Sequence, residues 1–460
     1  MTAAQPTGSL LRGRWIDDWR PEDESFWQST GKKIANKNLW FSVFSEHIGF
    51  SIWTLFSVLV LFMGPAYNID AAGKFLLVSM ATLVGSLLRL PYSLAVAVFG
   101  GRNWTLISAS LLLIPSILAA IYMEPGTSFT TFMVISALVG LGGGNFASSM
   151  TNINAFFPEK SKGAALGINA GGGNLGVAVI QLVALLIIGT AGTSAPRLVL
   201  AVYIPLIVLS IAGAAFFMDN ISSVRNDTGA LKEAAGDAQT WVMSFLYIGT
   251  FGSFIGYSFA FGLVLQNQFG RTPLQAAAVT FIGPLLGSLI RPVGGWLSDR
   301  IGGTKVTFWN FAAMAVATLI CIWASGIDSL GLFTAGFVLL FITSGIGNGS
   351  TYKMIPSIFR TKALAATEER GWDQAEALLW ARRISGAAIG ITAAIGAFGG
   401  LLINLAFRSS FQATQSGAPA FWAFLAFYAV CMVVTFVVYL RNAKSATDPK
   451  TGTRVSYAEV

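Results

Sequence analysis

Apolar residues run through this chain in stretches of about 20, the length that crosses a bilayer as a helix, with short polar connections between them. Twelve such stretches are visible, near residues 38–64, 74–99, 104–122, 128–157, 164–189, 196–218, 240–264, 274–297, 304–325, 330–359, 379–405 and 418–440. The pattern predicts an all-α membrane protein with twelve transmembrane helices. A longer polar stretch, DNISSVRNDTGALKEAAGDAQ, divides them into two sets of six. The chain therefore reads as an N-terminal segment over 1–37, a first six-helix half over 38–218, a linker over 219–239, a second half over 240–440 and a tail over 441–460. Charged and aromatic residues precede the first run (RGRWIDDWRPEDESFWQSTGKK) and no small-residue cleavage pattern follows it. The first run is thus expected to stay attached rather than leave as a signal.

Composition agrees: 54% hydrophobic and 11% charged residues are too few charges for the surface of a soluble protein of this length. The net charge of +8 is unevenly spread. Arg102, Lys160, Lys162, Arg225, Lys232, Arg300, Lys305, Arg360, Lys362, Arg370, Arg382 and Arg383 fall in loops on one side, with both termini, while Lys74, Arg197, Arg271 and Arg408 fall on the other. The richer side is expected to be cytoplasmic, and both termini with it. Basic residues that alternate with spans, instead of gathering in one patch, argue against nucleic acid as a partner. Cys321 and Cys431 lie inside apolar runs, and no metal-spaced cluster, paired acids or nucleophile–base set stands out, so no metal, cofactor or catalysis is expected.

The two halves repeat. GSLLRLPYSLAVAVFGGRN (85–103) lies over GSLIRPVGGWLSDRIGGTK (287–305) at a fixed offset, matching Gly85 to Gly287, Arg89 to Arg291 and Gly100-Gly101 to Gly302-Gly303. Six spans per half give both halves the same sense across the membrane, a parallel repeat about an axis along the membrane normal. Arg89, Arg291, Lys353 and Glu46 stand out as charges within spans, where insertion costs about 2.5–3.5 kcal/mol each. Arg89 and Arg291 sit at equal distance from their matching loops, about 12 Å of helix, so the repeat sets them face to face near the midplane. Two guanidiniums on spans that carry no acid suit a small planar oxyanion.

Glycine and asparagine are dense in GGGNFASSMTNINAFFP (span 4), ALGINAGGGNLG (span 5), GNGSTYKMIP (span 10) and the segment 384–400 (span 11). GLGGGN is no nucleotide fingerprint, because it lies deep in an apolar span with no strand before it. The loop GWLSDRIGG resembles the short loop signature of the major facilitator superfamily, in which Asp299 and Arg300 would latch helix ends on the cytoplasmic side. In the first half Ala97 and Val98 replace that pair. The span 4 and span 10 segments, with WRPEDESFWQ, NLW, LLRLPYS and LYIGTFGSFIG, resemble the nitrate/nitrite porter family of that superfamily, the NarK/NarU type.

The resemblance covers nearly the whole chain. It implies a bacterial cytoplasmic-membrane transporter working as a monomer, with nitrate or nitrite clamped by Arg89 and Arg291 and surrounded by Phe146, Asn174, Tyr247 and Phe251. Tyr247 and Phe251 are four apart on one helical face, which fits. Gly143, Gly172 and Gly396 are expected to let helices slide as the halves rock. Glu46, His47 and Lys353 depart from the familiar pattern and are proton-coupling candidates: Glu46 and Lys353 are expected to pair at similar depth, with His47 tuning the acid. The expectation is nitrate import by proton symport, against nitrate/nitrite exchange. A gated anion channel is the rival from another class, and saturable counterflow separates the two.

Overall fold

A computed structural model describes residues 11–12, 14–441, 443, 445–447, 454–458 and 460. The other positions of the N-terminal segment and tail lie outside the described residues. Among the described residues twelve helices are long and apolar enough to cross a membrane: Glu24–Phe62, Ala71–Phe99, Gly101–Tyr122, Phe129–Phe156, Glu159–Ala191, Arg197–Phe217, Ala238–Phe269, Pro273–Ile301, Gly303–Gly326, Leu330–Glu369, Gln374–Thr414 and Ala418–Arg441, spans 1 to 12. They match the twelve apolar runs, and most of them overshoot, because a helix continues past the apolar zone into polar surroundings; spans 4 and 6 stop one residue inside their runs at each end. The largest overshoot at a single end is at the start of span 1. Asp23 caps its start by accepting from the backbone N–H groups of Ser25 (3.0 Å) and Phe26 (3.1 Å), so the helix begins at Glu24 and not at the apolar run.

The repeat is visible at backbone level. Spans 2 and 8 both end on a glycine of positive φ, Gly100 at 84° and Gly302 at 92°, a conformation that a side chain would strain. Each of these glycines closes its helix with the equivalent bond, Gly100 N–H to Val96 O at 2.9 Å and Gly302 N–H to Ser298 O at 3.0 Å. The next span starts one residue later in both halves. The free amides beyond are met differently. In the first half Asn220 Oδ1 accepts from Asn103 N–H (3.3 Å), and Asn220 belongs to a small sheet in which Trp15–Ile16 pairs antiparallel with Leu11–Arg12 and parallel with Asn220–Ile221. In the second half the tail does this: Thr304 N–H donates to Val460 O (2.7 Å) and Thr304 Oγ1 to Tyr457 O (2.7 Å).

Spans 1 and 7 occupy the centre, with residues 48–63 and 249–265 buried without interruption. Span 2 lies along span 11 and span 8 along span 5, so each half touches the other through repeat-related helices. On the side away from the termini the halves are sealed by apolar side chains, with Leu61 of span 1 against Gly262 of span 7.

The glycines of span 4 form a 3₁₀ segment, Gly140–Gly144, between two α-helical stretches. A Cβ added at Gly143 would stand 2.6 Å from Gly85 Cα and 2.8 Å from Trp53 Cε2, and one at Gly142 would meet Gly49 O. Spans 1, 2 and 4 therefore meet backbone to backbone, which only glycine permits. Gly143→Ala is expected to cost about 1–3 kcal/mol, the range for overpacking, read as a lower unfolding midpoint in detergent. Gly171→Ala, whose Cβ would meet nothing within 4 Å, should not lower it.

Candidate functional site

Arg89 and Arg291 project from spans 2 and 8 into the space between the halves, 1% and 8% exposed. They lie close enough to repel one another, and Tyr247 lies within electrostatic reach of both. Aromatic faces surround them. Arg89 Cζ stands 4.7 Å from the Phe251 ring, 4.9 Å from Phe146 and 5.3 Å from Trp53; Arg291 Cζ stands 5.6 Å from Tyr352. Tyr247 stacks on Phe251 at 5.3 Å and 10°, and Phe251 faces Phe146 at 6.3 Å. These π faces stabilise a cation by about 0.5–2 kcal/mol each without occupying its N–H groups.

Those N–H groups are left over. Arg89 Nη1 donates to Ala393 O of span 11 (3.0 Å), but Arg89 Nε and Nη2 and Arg291 Nη1 have no hydrogen-bond partner among the described residues, and the Tyr247 hydroxyl lies beside Arg291. Neither arginine has a carboxylate within ion-pair distance among the described residues. Buried donors of this strength are costly unpaired, so the arrangement calls for an anion with several acceptor oxygens. Asn174 is buried on span 5, and both its amide atoms lack a hydrogen-bond partner among the described residues.

Trp53, Tyr352 and the Ala393 carbonyl complete the cage and were not foreseen. Tyr352 adjoins Lys353 in a stretch already notable for its glycines, whereas Trp53 has no signal beyond its size. Glycines make the room: a Cβ at Gly85 would run into the Trp53 indole, and one at Gly396 into the Tyr247 ring. Gly143 and Gly396 thus seat aromatic residues of the site, and Gly172 lies against Val43.

The expected Glu46–Lys353 pair does not form. Lys353 Nζ pairs with Asp299 Oδ1 at 2.8 Å, and both side chains are about half exposed. The long lysine stem carries its charge out of the span to the helix end, where water and a carboxylate receive it. Asp299 consequently ties span 8 to span 10, while Arg300 lies over Trp296 at 4.2 Å instead of pairing with Asp299. Glu46 stays inside, fully buried. Its Oε2 accepts from Ser149 Oγ (2.5 Å) and Asn169 Nδ2 (2.6 Å), and it has no ion-pair partner among the described residues. Both arginines act on it electrostatically. His47 points elsewhere, its Nδ1 3.0 Å from Gly172 O.

A cavity of about 400 Å³ reaches the cage from the terminal side. Phe146, Tyr352 and Ala393 form its deep wall and Arg225, Asp227, Arg382 and Arg383 its mouth. The site is thus approached from the terminal side and sealed on the other.

Twelve spans in two repeat-related halves around a buried cationic site are the layout of a secondary transporter. The model of the Major Facilitator Superfamily matches residues 39–371. The nitrate/nitrite transporter NarU of Salmonella typhimurium is 40% identical over 93% of this chain and 96% of its own. A Thermus thermophilus protein named "Probable nitrate/nitrite antiporter NarK2" is 30% identical over 95% and 99%. Among solved structures, a D-xylose-proton symporter superposes with a TM-score of 0.63 at 15% identity over 87% of this chain and 95% of its own, a likeness of fold alone. The chain belongs to the Major Facilitator Superfamily and, within it, to the nitrate/nitrite porters of NarK/NarU type.

Because Lys353 lies outside the cage, Lys353→Met is expected to leave nitrate binding to the purified protein unchanged by calorimetry. A double-mutant cycle with Asp299→Asn should return a coupling of only about 0.2–1 kcal/mol, as for exposed pairs.

Proposed function

We propose that this protein carries nitrate and nitrite across the membrane by alternating access, with the anion held between Arg89 and Arg291. The observation that carries the reading is the pair of buried guanidiniums with unpaired N–H groups and no carboxylate at ion-pair distance among the described residues. A planar XO₂⁻ or XO₃⁻ ion offers in-plane acceptors to both forks, and the flat rings of Phe146, Phe251 and Tyr247 suit a flat ligand. The Tyr247 hydroxyl supplies a further donor, and Asn174 is assigned to the same ligand as the halves close on it. The names of the relatives support the same substrates. The lysine-rich loops support a cytoplasmic terminal side, which makes the open cavity an inward-facing one.

Lysine at either arginine keeps the charge and loses the planar fork. Arg89→Lys and Arg291→Lys should each weaken nitrate binding tenfold or more, since a charged hydrogen bond contributes about 1.5–3 kcal/mol. Wild-type affinity in both variants would reject the clamp.

For coupling, the reading is proton symport through Glu46. A buried carboxylate that is bonded to neutral donors and lacks a cation partner is a place to hold a proton. Removing its charge favours an anion at the two arginines within its electrostatic reach, and by reciprocity the anion favours the proton. Nitrate/nitrite exchange is the second reading, supported by the antiporter name of the Thermus relative. In proteoliposomes, Glu46→Gln should abolish uptake driven by a pH gradient while counterflow survives. Undiminished pH-driven uptake would assign exchange instead.

A further inference from the structure

The linker lines the cavity that leads to the arginine cage, through Arg225, Asn226, Asp227, Ala230 and Leu231. Its helix, Thr228–Gly236, starts at Asp227, whose side chain accepts from Ala230 N–H at 2.8 Å. On one flank Asn226 Nδ2 donates to Leu94 O of span 2 (2.9 Å). On the other, Arg383 of span 11 holds Asp227 through two bonds, Nε to Oδ2 and Nη2 to Oδ1 (3.0 Å). Glu233 of the same helix accepts from Trp380 Nε1 (2.6 Å) and stands 3.8 Å from Arg383 Nη1. The linker is therefore fastened to both halves; on the second half Trp380 and Lys362 hold Glu233 and Asp237, and at the cavity mouth the hold on Asp227 is the Arg383 guanidinium.

We propose that Arg383 is a second anion site, occupied at rest by the Asp227 carboxylate, and that a planar oxyanion displaces this carboxylate to unfasten the linker. The inference rests on the nitrate/nitrite reading above. A carboxylate on a guanidinium fork presents two coplanar oxygens, the same face that nitrite or nitrate presents. An exposed ion pair is weak in water, so exchange of one planar anion for another is nearly balanced. Arg225 and Arg382 line the same mouth and raise the local anion concentration. A proton does not serve as the trigger. The two bonds from Arg383 and the Ala230 N–H hold Asp227 down to about 2, so the pair stays charged until the pH falls to that value.

The test is nitrate flux in proteoliposomes of known orientation, with KM measured separately from each face. Asp227→Asn frees Arg383 and should lower the linker-side KM several-fold, while Arg383→Gln should raise it several-fold. The KM from the opposite face should stay constant in both. A merely structural ion pair would give both variants the same change, and that result, or no change in either, overturns the proposal. A disulfide formed in the Asp227→Cys, Arg383→Cys protein should stop flux and leave calorimetric nitrate binding intact. Flux at the reduced-protein rate in the cross-linked form also overturns it. Wild-type protein that binds no nitrate would remove the functional reading itself, whereas nitrate binding with unmoved linker-side KM values removes this inference alone.

Discussion

Two guanidiniums held out of water with no carboxylate in direct contact among the described residues set the terms for the rest of this structure. An isolated buried charge is costly, and arginine does not relieve the cost by losing its proton. Burial is tolerable here because aromatic faces from four spans meet the cations and because the remaining N–H groups point where a ligand brings charge. The like charges repel across the interface between the halves. On the proposed reading that repulsion opposes closure without an anion, and with one the same pair draws both halves onto a shared ion, so that ligand selection and movement of the halves would share one force.

The glycines follow from this demand. Indole and phenol rings cannot sit beside a guanidinium in a helix bundle unless neighbouring helices give up side-chain volume. Gly85 gives it to Trp53 and Gly396 to Tyr247, and the 3₁₀ segment of span 4 brings its backbone against Gly85. Packing density and electrostatics are one problem at this site. A methyl group at Gly143 displaces an aromatic wall and also separates two helices.

Much of this was legible in the sequence because the bilayer simplifies the code. Twelve apolar runs mark twelve helices, since a lipid-exposed backbone must satisfy its own hydrogen bonds. Arg89 and Arg291 stand out against an apolar background, and the shared offset to Gly100 and Gly302 ties them together. Other features were not legible, each for a physical reason. The start of span 1 at Glu24 depends on the Asp23 cap, which lies outside the hydrophobic signal. Lys353 reads as buried because hydropathy sees the position of the Cα and not the reach of the side chain. Trp53 and the Ala393 carbonyl join the cage by tertiary approach, and no spacing rule marks a carbonyl.

The small sheet that joins Trp15–Ile16 to Asn220–Ile221 bears on how the molecule is built. Its strands lie some two hundred positions apart, with the whole of the first six-span bundle between them. During synthesis the early strand has only its neighbour Leu11–Arg12 to pair with until the sixth span has emerged, and then its pairing with Asn220–Ile221 closes a loop around that bundle. Loop closure over such a distance is entropically demanding, so it follows insertion and does not guide it. Both strands of this clasp precede the seventh span in the chain, so closing it requires nothing from the second half. The order of assembly is written into which segments are made first and which must wait.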